Sequence, residues 1–91
     1  MDWDRVRIFL EVARLGQIRT AARRLGVNPS TVARQLTALE EDLKTKLVER
    51  RPSGCALTSE GYVLVTAAER AESEFLQVCD HLTIRRRLER S

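Results

Sequence analysis

Ser30, Thr31 and Arg34 bring two hydroxyls and a guanidinium into one short stretch, with Gln35 beside them. If the stretch is helical, the step from Ser30 to Arg34 keeps these groups on one side. Their chemistry is that of base and phosphate recognition. Arginine can bond both acceptors of a guanine edge, glutamine can pair with adenine, and serine or threonine can bond phosphates or bases. Thr37 and Ala38 keep the same surface small, which a helix needs if it is to sit deep in a major groove. A solvated amphipathic helix would show the same face, and on this stretch alone the two readings stand level.

Catalytic chemistry has no comparable foothold. The chain has one histidine, His81, and no cysteine, serine or carboxylate arrangement around it that spacing would justify as a triad or a metal set. No catalytic residue and no metal ligand are expected. Cys55 and Cys79 are too few and too far apart for a disulfide scaffold and are read as free thiols. With no signal peptide and no apolar run near the roughly 20 residues a bilayer needs, the expected location is the reducing cytoplasm, in association with the nucleoid.

The elements that must position the reading face are legible around it. Asn28 is a suitable N-cap and Pro29 suits the first helical position, so the helix has a defined start. Val32, Leu36, Leu39 and Leu43 give it an apolar stripe opposite the polar face. Before it, Asp2 to Leu15 reads as a helix with Asp2 as cap and Val6, Phe9, Leu10 and Ala13 turned inward. Gly16 ends that helix. Ile18 to Leu25 is a second, short helix whose Ala21 and Ala22 permit a close crossing, and Gly26 supplies the permissive backbone of a tight turn. The order is helix, short turn, helix. An ordinary helical hairpin shares it, and the charge pattern separates the two: from Glu11 to Glu40 no acid intervenes, while Arg14, Arg19, Arg23, Arg24 and Arg34 all lie between them. A net charge of +3 says little as a total, but this segregation suits a front that meets phosphate.

Beyond the third helix, residues 47–57 change character. Val48 to Arg51, then Pro52-Ser53-Gly54, then Cys55 to Leu57 spell a two-stranded wing with Arg50 and Arg51 placed for the DNA backbone or minor groove, a plain basic loop being the alternative. Thr58 is read as the cap of a long helix over 59–84. Tyr62, Val65, Ala68, Glu72, Phe75, Cys79 and Leu82 follow one another in steps of three and four, a heptad seam that Glu72 interrupts. At about 1.5 Å per residue this helix spans roughly 39 Å, more than one small domain can cover. A homodimer paired along Val65, Ala68, Phe75, Cys79 and Leu82 is the expected solution, against a helix folded back on its own domain. Trp3 packs either on such a partner or on the domain's own edge. The basic end, residues 85–91, is expected to be disordered.

Taken together, Phe9, Gly16, Ala21-Ala22, Leu25, Val32, Arg34-Gln35-Leu36, Leu39-Glu40, Leu43, Leu47, Arg50, Leu57-Thr58 and Gly61 resemble the N-terminal DNA-binding module of the LysR-type transcriptional regulators. The ordered set is specific where no single piece is. The resemblance implies an all-α fold with a small β-wing: a winged helix-turn-helix over 1–58, with the helix-turn-helix at about 18–37, followed by a linker helix that pairs two subunits. It implies double-stranded DNA as partner and a palindromic site, with base contacts from Ser30, Thr31 and Arg34 and backbone or minor-groove contacts from Gln17, Arg19, Thr37, Arg50 and Arg51. No cofactor is expected within the chain; the family's small-molecule effector belongs to a larger C-terminal domain to which nothing here corresponds.

Several positions depart from the family pattern. Pro29 stands where Gln is usual and Ala33 where Ser precedes the arginine, so two familiar contacts are lost and Arg34, Ser30 and Thr31 carry more of the reading. Gln17 replaces a Ser, which weakens a phosphate-contacting cap. Lys44-Thr45 replaces a Gly and Val48 an aromatic, changes that bear on the local turn and the packing of the wing. Two other functions fit parts of the pattern: a nonspecific architectural DNA binder, and a helical interaction module that never touches DNA.

Overall fold

The computed structural model describes residues 2–90, with side chains as far as residue 88. Three helices come first, α1 (Trp3–Leu15), α2 (Ile18–Leu25) and α3 (Pro29–Leu43), then the strands β1 (Val48–Arg51) and β2 (Gly54–Leu57), then α4 (Ser59–Arg90). The starts of α1, α3 and α4 have their expected caps. Asp2 accepts the N–H of Asp4 at 2.9 Å, and Asn28 accepts the N–H of Ser30 at 3.0 Å. Thr58 accepts the N–H of Gly61 at 3.0 Å while its hydroxyl donates to the Lys46 carbonyl at 2.7 Å, which ties the start of α4 to the base of the wing.

The end of α3 shows what the departure at Lys44 costs. Lys44 adopts the left-handed conformation, φ 53° and ψ 41°, so that its N–H can reach the carbonyls of Glu40 and Glu41. A residue with a Cβ pays about 1 kcal/mol for that conformation, which glycine adopts freely.

Two apolar clusters hold the three helices. Val6, Phe9 and Leu10 of α1 meet Leu36 and Leu39 of α3, Leu47 and Val48 at the base of the wing, and Ala68 of α4. On the other side of α1, Val12 meets Ala21, Ala22 and Val32, where the alanines let α2 cross close. The inward stripe of α1 is therefore broader than its spacing predicts. Val12 is fully buried and Ala13 only half-buried, because α1 is covered from two directions.

The wing is an antiparallel pair with Val48 opposite Leu57 and Arg51 opposite Gly54. The Cys55 N–H donates to the Gly16 carbonyl at 2.7 Å, fastening β2 to the end of α1. Gly54 is required there: a Cβ would lie 2.6 Å from that same carbonyl oxygen. At Gly61 a Cβ would strike the Leu47 carbonyl, so only glycine lets α4 start this close to the wing. In that first turn the Glu60 carboxyl is held below the ordinary carboxylate range by its own backbone N–H and by the Ser59 hydroxyl.

Two expectations about α4 are corrected. The helix does not end near residue 84 but continues to Arg90, since the run from Ile84 onward contains good helix formers and no breaker. Residues 85–90 are thus helical rather than a disordered tail, and Ser91 lies outside the described residues. The seam also divides. Ala68 is 4% exposed in the domain's own core, where it cannot serve as a seam position, and Val65 is half-buried beside it, because the first turns of α4 pack on the cluster that holds Phe9 and Leu10. Phe75, Cys79 and Leu82 remain exposed, with Phe75 at 68%.

Candidate nucleic-acid interface

The polar side of α3 is exposed at Ser30, Arg34 and Thr37, with Thr31 half-buried between them. The groups are ordered among themselves. Ser30 Oγ donates to the capping Asn28 Oδ1 at 2.9 Å, and Arg34 Nη2 lies 3.4 Å from Thr31 Oγ1. From the wing, Arg50 Nη2 donates to Thr37 Oγ1 at 3.2 Å and reaches the Ala33 carbonyl at 3.4 Å. Its guanidinium therefore lies against the recognition helix rather than swinging free.

Arg50 joins two open clefts. One is lined by Ala33, Arg34, Thr37, Ala38 and Glu41; the other runs between the start of α2 and the wing tip, lined by Gln17, Arg19, Arg51 and Pro52 among others. Of the residues expected to meet DNA, Arg34, Thr37, Arg50, Gln17, Arg19 and Arg51 thus form one continuous surface, with Ser30 and Thr31 at the N-terminal end of α3. Gln17 makes no capping bond to the start of α2; its amide oxygen accepts the Thr20 hydroxyl at 3.3 Å.

Charge on this surface is unevenly committed. Among the described residues no carboxylate pairs with Arg19, Arg34 or Arg50, whereas Arg51 lies 2.9 Å from Glu49 within its own strand. Both members of that pair are more than half exposed, so the contact is weak and exchangeable.

Two residues near the face behave differently from their sequence reading. Gln35 does not flank the groove-facing surface: its amide oxygen accepts Arg5 Nε at 3.0 Å, and the same arginine pairs with Asp42 at 2.8 Å, so Gln35 helps hold α1 to α3. Glu40 does not bound the face either. It is 7% exposed, and its Oε2 accepts the N–H groups of Leu47 at 2.8 Å and Val48 at 3.3 Å, with Lys46 Nζ 3.7 Å from Oε1. The acid at the edge of the face is Glu41. Glu40 is the wing-anchoring residue that spacing could have flagged, for it falls one turn beyond Leu36 on the buried stripe.

Among the described residues no group of His, Cys, Asp and Glu could hold a metal ion, and no helix is long and apolar enough to cross a membrane.

A capped recognition helix crossing a short helix, a two-stranded wing beside it and a long helix leaving the domain define a winged helix-turn-helix module with a linker helix. The family model described as bacterial regulatory helix-turn-helix protein, lysR family, matches residues 3–62, and the chain belongs to that family. It is 40% identical over 70 residues to the HTH-type transcriptional regulator ClcR of Pseudomonas putida, an alignment covering 77% of this chain and 24% of ClcR. The chain thus spans about a quarter of the length of the curated relatives it matches. Among solved structures, the CbnR_DBD-DNA complex matches with a TM-score of 0.77 and 32% identity over the whole of both chains. The BenM_DBD/catB site 1 DNA complex matches with a TM-score of 0.85 and 26% identity, covering 91% of this chain and 93% of that one.

Proposed function

We propose that this chain is the sequence-specific DNA-binding module of a transcriptional regulator, acting as a homodimer on a palindromic site. The observation that carries the reading is the single open surface on which Arg34 and the hydroxyls of Ser30 and Thr31 stand beside Arg50, with Arg34 and Arg50 unpaired to any described carboxylate. Ser30, Thr31 and Arg34 read bases in the major groove. Thr37, Arg50, Arg51, Gln17 and Arg19 meet the backbone or the minor groove and set the register. The matches to CbnR_DBD and BenM_DBD, both DNA complexes, support DNA as the partner.

The distal half of α4 supports the dimer. Phe75, Leu76, Val78 and Leu82 are all more than half exposed, and Trp3, Ala71 and Phe75 line an apolar cleft at the point where α4 leaves the domain. A second α4 covers these residues, which shifts the expected seam away from Ala68 and onto its distal members Phe75, Cys79 and Leu82. Two recognition helices then meet half-sites about one helical turn apart, roughly 34–36 Å, or a multiple of it. The chain works by binding rather than by catalysis, in the cytoplasm, and any small-molecule effector of the regulator acts outside these residues.

Selection from a randomised duplex library at near-physiological salt tests the proposal, with wild type and Arg34→Ala side by side. A dyad motif that wild type enriches and the variant loses at one position in each half-site is the expected result. Salt-sensitive binding without a motif would instead mark an architectural binder, and no binding would mark an interaction module.

A further inference from the structure

The long helix leaves the domain at one place. In its first turns Gly61, Leu64, Val65 and Ala68 face inward and are buried or half-buried, whereas every described residue from Ser73 to Leu88 is exposed. At that exit stands Arg14, in the last turn of α1. Its Nη2 donates to Glu72 Oε1 at 2.8 Å and lies 3.4 Å from Glu69 Oε2. Glu69 and Glu72 sit almost one turn apart on α4, so a single guanidinium holds two successive points of the helix. The contact with Glu72 raises the Arg14 pKa above its ordinary value, opposed by partial desolvation. Behind it, Glu11 lies 3.7 Å from Arg14 and 3.4 Å from Arg24 of α2. Charged contacts thus run from the first helix of the helix-turn-helix, through α1, to the exit of α4.

We infer that Arg14 is a positioning residue: its fork on Glu69 and Glu72 sets the angle of α4 to the recognition helix, and through that angle the spacing between half-sites that a dimer accepts. The inference rests on the DNA-binding dimer proposed above. Apolar packing beneath Ala68 holds the helix down but is non-directional, whereas a guanidinium bonded to two carboxylates constrains direction. Leverage makes the direction matter. The helix runs on for about 27 Å beyond Glu72, at about 1.5 Å per residue, so a tilt of about 10° moves its far end about 5 Å. That displacement exceeds one base step of about 3.4 Å.

The side chains of Arg14 and Glu72 are 38% and 34% exposed, and pairs this open add little to stability. Their removal therefore separates angle from folding. The test measures affinity for palindromes whose centre is lengthened or shortened one base pair at a time, using wild type, Arg14→Ala, Glu72→Gln and the double variant. Wild type should prefer one spacing about tenfold over its neighbours, and each single variant should flatten that preference to about threefold or less, with the deformation of protein and DNA deciding the penalty. The double variant should flatten it no further than Arg14→Ala alone, since Arg14 is the donor to both carboxylates. Melting temperature and the ranking of half-site sequences should stay as in wild type. Glu72→Gln, which keeps an acceptor and a helix former, decides the matter if Arg14→Ala lowers the melting temperature. An unchanged spacing preference in the variants would overturn the inference and leave DNA binding intact. If wild type enriches no palindrome at all, the dimeric DNA-binding reading itself falls.

Discussion

The arginines at the front and the back of the domain have opposite circumstances. At the back, Arg5 pairs with Asp42, Arg14 with Glu69 and Glu72, and Arg24 with Glu11, so each spans two elements and spends its charge on geometry. At the front, Arg19, Arg34 and Arg50 have no described carboxylate partner; Arg34 and Arg50 instead touch hydroxyls or a carbonyl of α3. The same residue type is used twice for different ends. A front arginine bound to a carboxylate would have to give that pair up to reach a phosphate, and the cost would come out of binding. Neutral partners hold the side chain in place and leave its charge available.

Glu40 is the strongest test of this division, since it is an acid of the recognition helix kept off the front. Turned inward, its carboxylate holds the backbone of Leu47 and Val48, and so the root of the wing. Glu40→Ala should cost about 1.5–3 kcal/mol, the range for hydrogen bonds to a charged acceptor, as read by chemical denaturation. Because the wing carries Arg50, affinity for all sequences should fall as well. Full stability in the variant would mean that Glu40 does not anchor the wing. Next in size is Arg34→Ala, which should cost about 1–3 kcal/mol at one base position if it reads a guanine, seen as loss of that position in a binding-site selection. An unchanged ranking of sites would remove Arg34 from the readers and make the front purely electrostatic.

Much of this arrangement is written in local signals. The caps at Asp2, Asn28 and Thr58, the glycine after α2 and the wing turn depend on residues close in sequence, and the apolar spacing of α3 marks Val32, Leu36 and Leu39 for the core. The front face follows from the back of that same stripe. What spacing could not give was which acids and amides are consumed across elements. Gln35 looks like a base reader until Arg5, thirty residues away in the chain, is seen on its amide. Likewise a heptad pattern does not say which part of it the domain itself covers: Ala68 and Phe75 are both apolar seam positions, but only Ala68 lies over Phe9 and Leu10. Long-range packing made the choice, and the periodicity is the same in either case.

Lys44 sharpens the boundary between the two sets. It lies at the end of α3 in the left-handed conformation, so Lys44→Gly should raise stability by about 1 kcal/mol, measured by thermal or chemical unfolding. If the front ends before it, removing this charge leaves the salt dependence of DNA binding as it was. A slope reduced by about one unit would place Lys44 among the phosphate contacts and extend the front past Glu41.

Arg51 belongs to neither set, and the smallest effect tests why. It lines the front cleft like Arg50 but carries a carboxylate partner, Glu49, like the arginines at the back. An unpaired arginine on a phosphate contributes about one unit to the slope of log affinity against log salt. Arg51 must first leave Glu49, so Arg51→Ala should lower the slope by less than that and weaken all sequences alike. Glu49→Ala should do the reverse, strengthening binding by about 0.5 kcal/mol at low salt, because exposed pairs are worth about 0.2–1 kcal/mol and the arginine no longer has one to break. Salt titrations of both variants on one operator decide it. If Glu49→Ala leaves affinity unchanged, the strand pair does not compete with phosphate, and an arginine can be paired in the free protein and still serve the front at full strength.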